Sequence, residues 1–316
     1  MFVDDFLITG KDQNLIDWLA VKLNEIFGIR DLGTCRKFVG IELEYKNKSI
    51  HLHQRTYIKE LIKTYRLADA DPVKSPMEAG LKIEKPIYDS KYERKVRGIL
   101  GSLAYIARGT RPDINFAVNY LSRFQHCANS EIYAYALRIL KYLKSTINHS
   151  LIYKKRNNID VNYPLKVFVD SDHGSDRSDR KSTSGVIVQM YGNTIDWYVR
   201  KQESVATSSV EAEYVALSLS GKITLGYKNL LDNFEINVNT VPIYCDSNGA
   251  ITNANTNNST RMKHVDIAYH HIRDLVNKKY IYVFKIAGTE QLADILTKAT
   301  SLQIFAKHCR VMFELN

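Results

Sequence analysis

The sequence predicts a multidomain chain of α+β and α/β class, with a helical region followed by a mixed β-sheet flanked by helices. Two apolar runs, 167–169 and Val241–Cys245, are each followed by an aspartate, which is typical of buried strands that end at a sheet edge. Between them, residues 208–219 combine serines that can cap a helix with recurring apolar residues, which predicts a helix lying on that sheet. Residues 90–145 show the apolar spacing of consecutive helices.

The composition is that of a basic, globular protein. The 316 residues carry a net charge of +10, and the pI is near 9.2. This charge suits a polyanionic partner, most simply nucleic acid, but on charge alone a merely basic soluble protein is an equal alternative. No apolar run approaches the ~20 residues of a membrane span, and no signal peptide pattern follows Met1. The cysteines are scattered without CxxC pairs, which argues against a zinc site or a disulfide scaffold and fits a reducing compartment.

At the N-terminus, residues 2–10 predict a β-hairpin, because apolar residues flank the pair Asp4 and Asp5 at its turn. Adjacent carboxylates repel each other, so such a pair usually has a cation to hold. A solvated turn is the alternative for this short motif taken alone. The patterns that follow are those of a helix, two strands and a second helix, at 12–27, 38–45, 49–54 and 56–65.

Two histidines, His51 and His53, fall on one face of the second of these strands. A metal site is one interpretation of this spacing. Because no third ligand lies nearby in the sequence, we expect a solvated strand instead.

The middle of the chain predicts a linker followed by helices. Residues 69–89 contain several prolines and few apolar residues, which favours a linker. The polar faces of the helices within 90–145 have an excess of basic residues, which favours contact with nucleic-acid phosphates over an ordinary solvated face. These residues are Lys91, Arg94, Lys95, Arg97, Arg108, Arg111, Arg123, Arg138, Lys141 and Lys144.

The C-terminal part predicts the element order β-β-β-α-β-α-α-β-α over 165–299, with acids on two strands and two helices. Thr289 is predicted to cap the last of these helices. Carboxylates gathered at one end of a mixed sheet can hold two divalent ions about 4 Å apart, which is an arrangement for hydrolysing a phosphodiester. Hard oxygen ligands suit Mg²⁺. The acids in question are Asp170, Glu213, Asp246 and Asp294. Asp172 competes with Asp170, but Asp170 directly ends the apolar strand.

These motifs, in this order, resemble the C-terminal part of a copia-type LTR-retrotransposon Pol polyprotein, which comprises the end of its reverse transcriptase and its ribonuclease H. The similarity runs over essentially the whole chain. The motifs that carry it are Asp170-Ser171-Asp172, Arg180 to Gly185, Ser209 to Tyr214, Tyr244-Cys245-Asp246, Lys263 to Asp266, and Gln291 to Lys298.

The resemblance implies a division of the chain into a partial polymerase, a helical region and a nuclease. The expected parts are the C-terminal part of the reverse-transcriptase palm (1–68), a linker (69–89), a helical thumb and connection (90–153), a connector (154–164), a ribonuclease H-like domain (165–299) and a C-terminal tail (300–316).

For the nuclease, the resemblance implies two-metal hydrolysis of the RNA strand in RNA/DNA hybrids, with two Mg²⁺ ions or Mn²⁺ as a substitute. Asp170 and Asp246 would flank both ions, Glu213 would hold the ion near the leaving oxygen, and Asp294 the ion that activates water. Glu211 competes with Glu213, but the residues after Glu213 better match the helix of the family. Candidates for phosphate contacts are Arg180, Lys181, Ser182 and Thr183.

Two features depart from related nucleases. His173 stands where copia-type elements commonly have tryptophan, which affects local packing rather than the metal site. The segment 288–290 is too short for the histidine loop of several cellular ribonucleases H. His264, His270 and His271 are therefore expected to be structural, and no histidine is given a catalytic role.

For the polymerase, the resemblance implies that Asp4 and Asp5 are a remnant of the palm metal site. The family's third aspartate lies upstream of this hairpin, so we expect the chain to be a Pol fragment that does not extend a primer alone. A catalytically silent relic that only binds nucleic acid is the main alternative. An integrase or transposase is disfavoured by the aspartate pair. Expected partners are RNA/DNA hybrid, other nucleic acid and other retroelement proteins, but no membrane. The expected location is the cytoplasm, within virus-like particles if the element is active, and also the nucleus.

Overall fold

The computed structural model describes residues 5–84, 86–156, 163–255 and 266–315. Their elements form two β-sheets with helices around them, which confirms the predicted mixed α and β class. None of the described helices has the length and apolar character needed to cross a membrane.

The N-terminal part contains helix α1 and a small antiparallel sheet. The Asp12 side chain caps α1 by accepting a hydrogen bond from the Asn14 N–H, and Gly28 ends the helix in the left-handed conformation with φ 62°. Of the hairpin predicted over 2–10, residues 2–4 lie outside the described residues, Asp5 forms an isolated bridge, and residues 6–10 form no strand. The elements are α1 (Gln13–Phe27), β1 (Lys37–Phe38), β2 (Ile41–Lys46), β3 (Ser49–His53) and α2 (Arg55–Thr64).

The predicted linker, residues 69–89, packs against the helices. Met77 and Ile83 are buried in their apolar core, and the Ile83 N–H donates to the Tyr120 hydroxyl. The region after it is helical as predicted, interrupted by 3₁₀ turns at Pro112–Ile114 and Gln125–Cys127. Its elements are α3 (Ser90–Gly109), α4 (Asn115–Ser122), α5 (Ser130–Ser145) and β4 (Leu151–Lys154), and β4 extends the first sheet by pairing with β3.

The C-terminal sheet has the strand order β7-β6-β5-β8-β9. Its first three strands are antiparallel, whereas β8 and β9 run parallel to β5. This mixed arrangement is the one that the sequence predicts for a ribonuclease H-like fold. Its elements are β5 (Leu165–Asp172), β6 (Thr183–Met190), β7 (Asn193–Lys201), α6 (Ser209–Asn233), β8 (Val241–Cys245), α7 (Asn248–Asn255), α8 (Asp266–Asn277) and β9 (Ile281–Lys285).

Two apolar cores lie on opposite faces of this sheet. One contains Val167 and Ile243 with apolar residues of α6 to α8. The other contains Ile187 and Trp197 together with apolar residues of α2 to α5, so it joins the nuclease-like sheet to the helical region. The Trp197 indole N–H also donates to the Ala107 carbonyl across this junction, at 2.8 Å.

The segment predicted as a C-terminal tail, 300–316, contains helix α9 (Leu302–Phe313). Its Phe305 and Phe313 rings contact Tyr142 of α5 and His149, and both rings are buried in the shared core. Glu314 then pairs with Lys154 and Arg156 at the connector. The apolar residues of α9 therefore pack on the surface formed by the folded helical region.

Candidate active site

The parallel pairing of β5 and β8 brings Asp170 and Asp246 together. Val167 pairs with Ile243 and Phe168 with Tyr244, so the carboxyl ends of both strands reach the same sheet edge. Asp294 approaches this edge from a 3₁₀ helix, Leu292–Leu296, where the sequence predicted a helix capped by Thr289. Carboxylate oxygens of the three aspartates lie within 4.8 Å of one another.

Glu213 lies beside this group, one turn into α6. Its Oε1 accepts a hydrogen bond from the Ser171 N–H at 3.4 Å, and its Oε2 lies 4.0 Å from Sγ of Cys245. Ligand atoms of Glu213, Cys245 and Asp246 also lie within 4.8 Å of one another. Asp246 is therefore common to both groups, and the structure brings all four predicted acids into one site.

The electrostatics of this site favour a bound cation. Burial raises the pKa of Asp170, and the nearby charges of Asp294 and Asp246 raise it further. Burial also raises the pKa of Glu213, as do the charges of Asp170 and Asp246. Buried carboxylates that repel one another and offer only oxygen atoms suit hard divalent cations such as Mg²⁺, so these residues fit the metal that the sequence predicts.

A buried glutamine fixes the 3₁₀ helix against the sheet. The Gln291 side-chain amide donates to the carbonyls of Val169 and Tyr244, at 2.9 and 3.2 Å, and its Oε1 accepts from the Ala293 N–H. It thus connects the ends of β5 and β8 to the turn that carries Asp294. Gln291 is fully buried, so this arrangement depends on an internal polar group with satisfied hydrogen bonds.

Gly185 lets this 3₁₀ helix approach β6. A Cβ atom at position 185 would lie 2.8 Å from Cγ2 of Thr297 and 2.9 Å from Cβ of Leu296. Both separations are too short for carbon atoms, so any larger residue would displace the turn. Gly185 pairs directly with Asp170 across β5 and β6, so its size bears on the sheet edge that carries the carboxylates.

Two further side chains contact the carboxylates. The Thr297 hydroxyl donates to Oδ2 of Asp170. Nζ of Lys298 lies 2.9 Å from Oδ1 of Asp294 and 3.8 Å from Oδ2 of Asp170. Although burial alone would lower the pKa of Lys298, these two carboxylates raise it, so the ammonium group stays charged.

The two competing acids make structural contacts instead. Glu211 accepts hydrogen bonds from the Thr207 N–H and hydroxyl, at 2.7 and 2.6 Å, which closes the start of α6. Asp172 accepts from the Thr183 N–H at 2.8 Å and from the Ser175 hydroxyl. Both acids are thus engaged in holding local structure.

The predicted phosphate contacts divide into two pairs. Arg180 is exposed, and Lys181 is half-buried. Ser182 and Thr183 are fully buried, and their hydroxyls accept hydrogen bonds from the Gly174 N–H and from Arg123, respectively. Both hydroxyls are thus engaged inside the protein and do not face solvent, and phosphate contact by these four residues stays a prediction.

The predicted basic surface is smaller than the sequence suggested. Arg111 is buried and pairs with Asp113 at 2.7 Å, and Arg123 bridges to Asp176 at 3.2 Å. Arg138 pairs with Glu78, and Lys144 donates to main-chain carbonyls of 68 and 70. The exposed basic residues that remain on α3 are Lys91, Arg94, Lys95, Arg97 and Arg108.

The remaining candidates lie outside this site. Asp4 lies outside the described residues, and Asp5 is exposed, so the polymerase remnant stays a prediction. His264 also lies outside the described residues. His53 is buried rather than solvated, and its Nδ1 lies 3.0 Å from Oε2 of Glu42. His51 contacts the hydroxyl of Ser49 at 2.9 Å.

The chain is similar in sequence to known proteins. The sequence model of the family described as reverse transcriptase (RNA-dependent DNA polymerase) matches residues 1–79. The chain is 37% identical, over 96% of its length, to the retrovirus-related Pol polyprotein from transposon RE1 of Arabidopsis thaliana, of which it covers 21%. It is 33% identical, over 94% of its length, to that from transposon TNT 1-94 of Nicotiana tabacum, of which it covers 23%. The chain belongs to the copia-type Pol family.

The copia-type chain spans about a fifth of the length of the curated relatives that it matches. Among solved structures, LC11-RNase H1 isolated from compost matches 43% of the copia-type chain and 93% of its own, with 16% identity and a TM-score of 0.35. The ribonuclease H-like fold of the C-terminal part is assigned from its own strand order and strand directions.

Sequence reasoning gave no role to several residues that shape this site. Gln291, Thr297 and Lys298 lie in the motif Gln291 to Lys298, which carries part of the copia-type resemblance. Their closeness to Asp294 in the sequence could have indicated that they shape the site. The sequence predicts Arg123 on a basic helical face that contacts phosphates, whereas in the structure it reaches Asp176 and Thr183 from the helical region. Such a contact between distant parts of the chain becomes visible only in the folded protein.

Proposed function

We propose that this chain hydrolyses the RNA strand of RNA/DNA hybrids in its ribonuclease H-like part. The observation that carries the proposal is the set of buried carboxylates at the end of the parallel strand pair. Oxygens of Asp170, Asp246 and Asp294 lie within 4.8 Å of one another, and Glu213 adjoins Asp246. Membership in a family of retrotransposon Pol proteins supports a nucleic-acid substrate.

Two Mg²⁺ ions, or Mn²⁺ in their place, would be held by the four acids, with Asp170 and Asp246 contributing to the binding of both ions. When bound, this pair of ions would activate the attacking water and stabilise charge on the leaving oxygen. Glu213 would help to hold the ion that stabilises the leaving oxygen, and Asp294 would help to hold the ion that activates the water.

The protein's own part in this reaction is to orient and balance these carboxylates. The Thr297 hydroxyl fixes Oδ2 of Asp170, and Gln291 fixes the turn of Asp294. Lys298 supplies a positive charge between Asp170 and Asp294. Such preorganised groups need not rearrange as charge develops in the transition state.

Substrate binding would use the exposed basic residues near the site and on α3. Arg180 and Lys181 lie on the segment between β5 and β6, and they would contact the phosphates of the hybrid. The exposed basic side chains of α3 offer a second contact with the duplex. Selection of the RNA strand would depend on contacts with ribose 2′-hydroxyls in the minor groove.

Cleavage of an end-labelled RNA/DNA hybrid by the purified chain, in Mg²⁺ and in Mn²⁺, tests this proposal. We expect cuts in the RNA strand that disappear in Asp246→Asn, because the shared metal ligand is lost. Asp232→Asn is the matched control, since Asp232 is an exposed acid on α6, and it should leave cleavage unchanged. A folded chain that binds the hybrid without cutting it would instead be a silent relic, and equal cleavage by Asp246→Asn would rule out this site.

A further inference from the structure

A row of aromatic side chains crosses the C-terminal sheet beside the carboxylates. Phe168 of β5, Tyr244 of β8 and Phe284 of β9 are neighbours in register on one face. The ring centroids are 5.2 Å apart for Phe168 and Tyr244 and 6.0 Å apart for Tyr244 and Phe284, with interplanar angles of 22° and 32°. Tyr282 extends the row, with its centroid 4.6 Å from that of Phe284.

The outer end of this row faces solvent. Tyr282 is 45% exposed and Phe284 36% exposed, although both are large aromatic residues on the edge strand β9. Their neighbours Ile281 and Val283 point to the other face and are buried in its core. The inner end is fixed, because Phe168 packs against the core shared with the helical region. The outer rings are thus not needed to fill either core.

We propose that Tyr244, Tyr282 and Phe284 form a stacking surface for the bases of a single-stranded nucleic-acid segment that adjoins the cleaved hybrid. The inference rests on the proposed ribonuclease function. We call these three residues the aromatic platform. Aromatic side chains on an open sheet face stack with unpaired bases, and they do so with little sequence preference.

The position of the platform supports this occupant. Phe168 precedes Asp170 by two residues on β5, and Tyr244 precedes Asp246, which directly follows β8, by two residues. The row therefore lies about 7 Å from the edge that carries the carboxylates. A strand that leaves the carboxylates along this face would meet the rings at once. The platform is therefore continuous with the surface where a polynucleotide must lie for cleavage.

The charges around the platform also suit a polyanion. Lys166 lies on the same face, two residues before Phe168 on β5. Lys285 follows Phe284 and is exposed, and its Nζ donates to the main-chain carbonyl of Asp246. Lys166 therefore offers an ammonium group on the face of the rings, whereas Lys285 alternates to the other face and offers one at the strand end beside Asp246. Both positive charges suit the phosphates of a strand whose bases stack on the rings.

Binding of labelled hybrids by fluorescence anisotropy, with Ca²⁺ replacing Mg²⁺, tests the proposal. The probes are a blunt RNA/DNA hybrid and the same hybrid with a short single-stranded extension at each strand end in turn. At least one extension should tighten binding by about fivefold or more, because each stacked base contributes substantially. The variant Tyr282→Leu with Phe284→Leu keeps apolar side chains on β9 but removes both ring faces, so this gain should disappear.

Phe234→Leu is the matched control, because Phe234 is an exposed aromatic residue at the end of α6. It should keep the full gain from the extension, and all variants should bind and cleave the blunt hybrid like the unchanged chain. No gain from any extension, or a gain that survives in the double leucine variant, would overturn the inference. A change in oligomeric state of the double variant without a change in binding would assign the rings to a protein contact and would overturn it too. Cleavage of the blunt hybrid reports separately on the proposed function.

Discussion

The ammonium group of Lys298 lies 2.9 Å from Oδ1 of Asp294, among carboxylates that are otherwise buried together. It also lies 3.8 Å from Oδ2 of Asp170. Lys298 therefore compensates negative charge that a divalent ion would also compensate if one were bound here. Its side chain is 46% exposed, so it can turn towards solvent without unfolding the site.

Lys298→Gln should increase the stabilisation that Mn²⁺ gives to the folded chain. Removing the ammonium group leaves the carboxylates less compensated, and it also removes a positive charge that opposes metal binding. The melting temperature, measured with EDTA and with excess Mn²⁺, should therefore show a larger difference in the variant. Lys278→Gln is the control, because Lys278 forms an exposed pair with Asp274 far from the carboxylates. Equal Mn²⁺ effects in all three proteins would show that Lys298 does not act on the metal site.

The metal-free chain should lose stability as the pH rises towards neutrality, through Asp170. Burial raises the pKa of Asp170 from 3.8 to about 7. The folded state thus holds a proton that the unfolded state releases, so this contribution is complete below pH 3.8 and is lost as the pH passes through 7. Urea unfolding in EDTA across this range should show the decline relative to Asp170→Asn. An identical pH profile in the two proteins would contradict it, and Mg²⁺ should reduce the loss in the unchanged chain.

Asp113→Ala should destabilise the chain by about 3–5 kcal/mol, because it leaves the Arg111 guanidinium buried without its partner. Nε and one terminal nitrogen of Arg111 donate to the two oxygens of Asp113, at 2.9 and 2.7 Å. The Tyr142 hydroxyl would also lose its acceptor on Asp113. Urea unfolding measures the effect. The exposed pair of Lys278 and Asp274 gives the control, since Asp274→Ala should cost less than about 1 kcal/mol. Similar losses in both variants would mean that burial of Arg111 does not matter.

Gly185→Ala should reduce cleavage and stability together, because its Cβ would push against the turn that carries Asp294. The added atom would lie within 3.0 Å of Cβ of Leu296 and of the Ala293 carbonyl oxygen. We expect a loss of about 1–3 kcal/mol in unfolding free energy from this overpacking. Gly226→Ala on α6 is the control, because no atom lies within 4 Å of its added Cβ. It should stabilise the helix by up to about 1 kcal/mol and leave cleavage unchanged. Full activity in Gly185→Ala would show that the turn can yield.

The carboxylates could be located from the sequence because each is attached to a strong local pattern. Asp170 and Asp246 each follow an apolar run, although β5 continues to Asp172, and Glu213 follows a serine cap. No local sequence pattern indicates that Leu292–Leu296 forms a 3₁₀ helix. Gln291 holds this segment in place by hydrogen bonds to two strands that are distant in the sequence. Local patterns determine which segments become strands or helices, whereas contacts between distant segments determine their final form.

The same limit explains the basic residues and the linker. Arg111 is a charged residue of a type usually found at the surface. Its guanidinium is nevertheless buried, where it bonds Asp113 and Thr146 and lies over the Tyr142 ring. The segment 69–89 has the prolines of a free linker, yet Met77 and Ile83 are buried. Sequence composition could not predict either outcome, because both depend on which surface the neighbouring helices leave open.

The connector at 154–164 separates two parts of the sequence that fold against each other. Trp197 of the nuclease-like sheet lies in one core with α3 to α5, and α9 returns from the end of the chain to that same core. If two related retrotransposons exchanged their C-terminal parts at this connector, buried side chains that pack together in one core would come from different parents. Recombination between lineages should yield functional chains most readily when the helical region and the nuclease are inherited together, and these two parts of the chain would diverge as a single unit.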